Sequence, residues 1–158
     1  MTTTLSRRTL LALPLAIGAA AALRAGPARA AADPVYTGRF SSLALGGHDP
    51  VAYFREGRAV EGVRAHETAW NGANWRFSSA ENLEAFRADP EAYAPAYGGY
   101  CAWAAAEGYR APGNPDYWRI VDGRLYVNFD GNVQRRWEAD IPGFIARADA
   151  NWPGILAD

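Results

Sequence analysis

Two dipeptides, Asn71-Gly72 and Asp122-Gly123, constrain this chain more than any other feature. A two-residue hairpin loop needs positive φ at both central residues, which Asn, Asp and Gly tolerate best. The spacing predicts one hairpin from strands 65–70 and 73–78, and a second from strands 118–121 and 125–129. A helix is expected after each. Ser78 with Glu81 three residues on makes a capping box, and Leu83 and Phe86 supply the apolar face. Asn132 to Asp140 carries Val133 and Trp137 four apart. Another short helix is expected over Tyr100–Glu107, after Gly98-Gly99, and Pro142 can open a last one from Gly143 to about Trp152. Residues 33–47 read as extended and 110–117 as loop. The sum is an α+β chain: a small single domain of two β-hairpins with four or five short helices. No internal repeat is visible in the sequence.

The chain has 158 residues, and the first thirty read as a twin-arginine export signal. Ser6-Arg7-Arg8 precedes an apolar run from Leu10 to Leu23, and Ala28-Arg29-Ala30 is a small-residue cleavage site. The run is shorter than the roughly 20 residues needed to cross a bilayer. The organisation expected is therefore a signal at 1–30 and one domain at 31–158, which would reach the periplasm through the twin-arginine translocase and keep no stable membrane insertion. Without the four arginines of the signal, twelve cationic side chains face seventeen acids, a formal charge of −5. That argues against a nucleic-acid partner.

Chemistry is limited by what is missing. Lysine is absent and Met1 is the only methionine, which excludes Schiff-base lysines and methionine-rich copper sites. Cys101 is the only cysteine, so an internal disulfide, a CxxC pair and a four-thiolate zinc site are all impossible. No GxSxG elbow suggests a hydrolase. Cys101 is the first candidate for function: with Gly99 as N-cap it would sit at the second position of a helix, where free N–H groups favour a thiolate. His48 and Asp49 are the candidate neighbours for a metal or thiol site. His48 stands in a turn, and Asp49 before Pro50 reads more readily as the cap of that turn than as a ligand. His66 reads as an ordinary histidine. Gly98, Gly99, Tyr100, Trp103 and Tyr53 are expected to wall the cleft.

The segments DPVAYF (49–54), WRFSSAENLEAFRADPEAY (75–93) and YGGYCAW (97–103) resemble the YHS-domain family, and more narrowly its exported proteobacterial members. The resemblance spans roughly residues 36–153. It implies metal handling, with a transition-metal ion such as copper or zinc as the possible cofactor. The family's usual thiols, however, fall at Ala52, Ser78 and Asn82 here. The exported branch carries its thiol in the Tyr-Gly-Gly-Tyr-Cys motif, which implies chemistry at Cys101. Three functions remain open. One is a binding module for a metal ion or small ligand centred on Cys101. Another is a redox protein using Cys101 with an external resolving thiol. The third is an interaction domain with an inert cysteine.

Overall fold

The computed structural model describes residues 32–157. The segment expected to be an export signal, residues 1–30, lies outside the described residues. The order is α1 (Pro50–Arg55), β1 (Val63–Trp70), β2 (Ala73–Phe77), α2 (Ala80–Ala88), α3 (Pro90–Tyr93), α4 (Ala102–Ala106), β3 (Asn114–Val121), β4 (Arg124–Asn128), α5 (Gly131–Glu138) and α6 (Ile141–Ala157). Two 3-10 turns, Ala44–Gly47 and Ala96–Gly99, precede α1 and α4. The fold is α+β, with two separate two-stranded antiparallel sheets. Among the described residues no helix is long and apolar enough to cross a membrane.

Both hairpins turn where the dipeptides place them. Asn71 and Gly72 have φ of 49° and 80°, and Asp122 and Gly123 have 49° and 76°. The second hairpin begins earlier than the loop-rich composition of residues 110–117 suggests. A register shift between Asn114 and Trp118 lets β3 pair across that segment, as a shift between Val63 and Glu67 does in β1.

These parallels extend through the chain, and they correct the expectation of no internal repeat. In the first 3-10 turn Leu45 and Gly46 take φ/ψ of 49°/31° and 60°/17°; in the second, Tyr97 and Gly98 take 55°/31° and 60°/19°. Each turn leads through an extended residue into a short helix. Asp49 N–H then donates to Val60 O at 2.8 Å, and Cys101 N–H to Ala111 O at 2.9 Å. A bulged hairpin follows in each case, then a capped helix: Ser79 Oγ accepts from Asn82 N–H, and Asp130 Oδ1 from Val133 N–H. Residues 44–88 and 96–138 thus follow one path twice. The shared letters are few, mainly Ala-x-Gly-Gly and the x-Gly turns, because backbone geometry and not side-chain identity is what the two halves hold in common.

β4 joins the halves. Side chains alternate along a strand, so Leu125 and Val127 enter a core with Val51, Trp75, Phe77 and Phe86, while Tyr126 enters a second with Tyr97, Trp137 and Ile155. Small residues let α6 lie close on α4: Ala102, Ala105 and Ala106 share the second core with Ala148. Asn151 Nδ2 donates to Ala105 O and Ala106 O, satisfying carbonyls at the end of α4. Tyr53 is fully buried, set edge-on to Trp118, and donates to Pro115 O at 3.0 Å. Burial, then the negative charges of Asp116 and Asp49, push its phenol well above the ordinary range. Tyr53 therefore ties α1 to β3. Tyr53→Phe should leave the Pro115 carbonyl unpaired and cost about 1 kcal/mol in urea unfolding.

Candidate functional site

The first repeat is centred on Asp49, which is completely buried and is the N-cap of α1. Oδ1 accepts from Val51 N–H at 2.9 Å and Ala52 N–H at 3.3 Å. Oδ2 accepts from Ser78 N–H at 2.8 Å, Ser78 Oγ at 2.7 Å and Asn82 Nδ2 at 2.7 Å. Arg55 in turn donates to Asn82 Oδ1 at 2.9 Å. Five donors occupy one carboxylate, which leaves little capacity for a ligand. Sequence spacing places the helix cap at Ser78; the structure moves it to Ser79, because Asp49 captures both the N–H and the hydroxyl of Ser78.

Ala52, Ser78 and Asn82 are the three positions where the resembled family carries thiols. They do converge, and here they surround a carboxylate. A methyl, a hydroxyl and an amide that already donates are not a soft-metal donor set. Among the described residues no group of three His, Cys, Asp or Glu side chains could hold a metal ion.

Cys101 stands in the second repeat where Asp49 stands in the first. It is the N-cap of α4, not the second helical residue that spacing suggests. The backbone repeats the Asp49 nest: Trp103, Ala104 and Phe129 correspond to Val51, Ala52 and Ser78. The flanking side chains do not. Ser78 becomes Phe129 and Asn82 becomes Val133, so the polar contacts that seal the first site are replaced by an apolar pocket of about 210 Å³. Cys101 lines it together with Trp103, Ala104, Tyr109, Ala111, Phe129 and Val133. Tyr109 and Phe129 are about half exposed and belong to its rim.

Cys101 is 1% exposed. Burial pushes its pKa up, and this outweighs the lowering by the N–H groups of Ala104, Phe129 and Trp103. The helix start therefore does not yield the acidic thiol expected from sequence. Asn128, wholly buried, lies alongside: its Oδ1 accepts from Trp103 N–H at 3.2 Å and is 3.7 Å from Sγ. Its Nδ2 is buried with no partner among the described residues.

A group whose folded pKa is raised stabilises the fold fully below its unfolded pKa, and that stability is lost as pH rises through the folded value. Wild-type stability relative to Cys101→Ala should therefore decline with pH above about 8.5, the free-thiol value. Urea midpoints of both proteins between pH 7 and 10 would check this; a constant difference would contradict it.

The other expected residues have partners of their own. His48 is half-buried, with Nδ1 3.1 Å from Leu45 O. The hydrogen-bond partners of His48, Asp49 and Cys101 do not overlap. Of the expected cleft residues, Trp103 lines the Cys101 pocket. Gly98 faces Pro34 and Val35, and Gly99 faces Pro95 and Leu45. Tyr100 lines a different groove, and Tyr53 is core. Sequence reasoning missed Asn128, Tyr109, Phe129 and Val133. One signal was present: Asn128 is a lone amide within the apolar run Leu125-Tyr126-Val127-Asn128-Phe129.

The YHS domain family matches residues 51–97. No curated protein and no solved structure matches the chain. The matched segment starts in α1 and stops within the second 3-10 turn, so it leaves out Cys101 and the whole second hairpin. The similarity to the YHS domain thus covers most of the first repeat, at residues 51–97.

Proposed function

We propose that the chain is a small binding module whose ligand site is the pocket above Cys101, in the repeat that lies beyond the YHS domain. The observation that supports this reading is the change between equivalent positions. Where the first repeat closes its nest with Asp49, Ser78 and Asn82, the second has a thiol, a phenyl ring and a valine, and a pocket opens. A cavity of this size and lining suits a small, largely apolar molecule, since apolar cavities of roughly 150 Å³ accept benzene. A metal ion would find only the Cys101 thiol and the Tyr109 phenol as donors on the wall. In the same proposal residues 1–30 direct the chain to the periplasm by the twin-arginine route. Replacing Arg7 and Arg8 with lysine should then hold the precursor in the cytoplasm on cell fractionation; undiminished export would contradict it.

Indole is a suitable probe for the pocket. Titration followed by NMR should shift the resonances of Trp103, Phe129 and Val133 saturably. Val133→Trp fills the pocket from a half-buried position and should abolish those shifts while circular dichroism stays unchanged. Equal binding by the folded variant, or no saturable shift in the wild type, would refute the assignment.

A further inference from the structure

On the other side of the Tyr100–Cys101 segment lies a larger groove of about 420 Å³. Its walls are the segment 33–39 and residues 110–112, with Tyr100 between them. Tyr100 bridges to Pro112 while Cys101 N–H bonds to Ala111 O, so neighbouring residues of one ladder serve the two cavities. The groove exists because Gly98 has no side chain. A Cβ there would lie 1.8 Å from Pro34 O, and its absence lets Tyr36 N–H reach Gly98 O at 3.0 Å. Gly46, the counterpart in the first repeat, has no backbone packed over it. The wall is thus an addition to the second repeat alone.

The chemistry of this groove departs from that of the chain. Arg39 and Arg110 both line it, and Asp33 is the only acid that does. Five arginines of the described residues, at 58, 76, 87, 119 and 124, are taken up in ion pairs. Neither Arg39 nor Arg110 is among them. Seven of the twelve described arginines make no ion pair, and Arg39 and Arg110 are the two of these that line this groove. The Tyr36 and Tyr100 rings lie 5.4 Å apart, tilted by 55°, and offer aromatic surface next to the charges. Tyr100 OH is engaged with Asp33 O at 3.1 Å, which fixes its ring. Burial raises the Tyr100 phenol pKa, and the Arg110 charge offsets part of that rise.

We infer that this groove is a second binding site, for a small organic anion: a carboxylate or phosphate held by Arg39 and Arg110, on a planar body lying against Tyr36 and Tyr100. Guanidinium forks match both oxyanions in geometry. Convergent polar groups beside aromatic walls in a concavity of this volume are the usual makings of a small-molecule site. The groove and the Cys101 pocket share Ala111 on their walls, but Arg39, Arg110, Tyr36 and Tyr100 line the groove alone.

Three probes separate its parts in calorimetric titrations of the purified chain: benzoate, phenyl phosphate and inorganic phosphate, with neutral benzamide as control. Benzoate or phenyl phosphate should bind saturably and more weakly as salt is raised, and benzamide should not bind. Arg110→Gln and Arg39→Gln, both at exposed positions, should each weaken binding about tenfold, the lower end for a charged hydrogen bond. Val133→Trp should leave it unchanged, so failure here is distinct from failure at the thiol pocket. Benzamide binding as tightly as benzoate would overturn the inference. So would affinities within about twofold of wild type in both arginine variants, or no saturable binding of either aromatic anion. Inorganic phosphate binding as tightly as phenyl phosphate would overturn the requirement for a planar body.

Discussion

Asp49→Ala should be the most damaging single substitution in the first repeat, at about 3–5 kcal/mol by urea unfolding, the range for removing one partner from a buried charged network. The carboxylate is fully buried and accepts five hydrogen bonds from α1, Ser78 and Asn82. Its removal takes this acceptor from all five donors, leaving only the long 3.4 Å contact from Asn82 Nδ2 to Ser78 Oγ, and an unsatisfied buried donor costs more than the bond it made. It also cuts α1 off from Ser78, leaving the bond from Arg55 to Asn82 Oδ1, at 2.9 Å, to hold α1 to the start of α2. Against a typical total stability of about 5–15 kcal/mol, that is enough to unfold a marginal domain at moderate temperature. Asp49→Asn is the informative partner. It can still cap α1 through its carbonyl, but its amide would face the amide of Asn82 and the N–H of Ser78, so it should recover only part of the loss. A loss below about 1 kcal/mol for Asp49→Ala would mean that the five contacts do not organise the repeat.

Gly113→Ala should be comparably severe in the second repeat, for a steric reason. A Cβ at Gly113 would lie 2.2 Å from Gly99 O and 2.5 Å from Val127 Cγ2, and Val127 is fully buried. Neither neighbour can retreat, because one is backbone and the other is central to the core. Overpacking of this kind costs about 1–3 kcal/mol and can cost more. Gly123→Ala is the control. Its φ is +76° but nothing lies within 4 Å of the added carbon, so it should show only the left-handed strain of about 1–2 kcal/mol. Gly62, just before β1 as Gly113 is before β3, meets Arg76 and Phe77 backbone at 2.4–2.6 Å and should behave like Gly113. Chemical denaturation of the three variants would rank them; Gly113→Ala no worse than Gly123→Ala would contradict the packing described.

Local signals accounted for much of the fold. The x-Gly hairpins, the stop at Asp89-Pro90 and the amphipathic spacing of Leu83 with Phe86 and of Val133 with Trp137 are short-range features, and each lies where its residues indicate. The turn at Asp49 was likewise legible, because an Asp before Pro favours a capped helix start. Long-range consequences were not. Nothing local says that Ser78 gives its N–H to a residue 29 positions earlier, so the cap was placed one residue too soon. The repeat was hidden because equivalent positions differ in kind: Asp49 and Cys101, Ser78 and Phe129, Asn82 and Val133, Phe77 and Asn128. Asp49 and Cys101 hold equivalent positions, yet each has its own side-chain partners: Ser78 and Asn82 for the first, Asn128 for the second. The acidity of Cys101 depended on exposure, which only the packing of Phe129, Tyr109 and Val133 around it could decide.

Alkylation of Cys101 in the folded, metal-free protein, followed against pH and with or without saturating indole, tests the proposed pocket most directly. A thiol buried beneath an apolar opening should react slowly with iodoacetamide, with a half-point above about 8.5. Indole should slow that reaction further, and Val133→Trp should slow it without indole. A half-point below about 8, together with a rate that indole and Val133→Trp leave unchanged, would contradict both the buried thiol and the pocket above it.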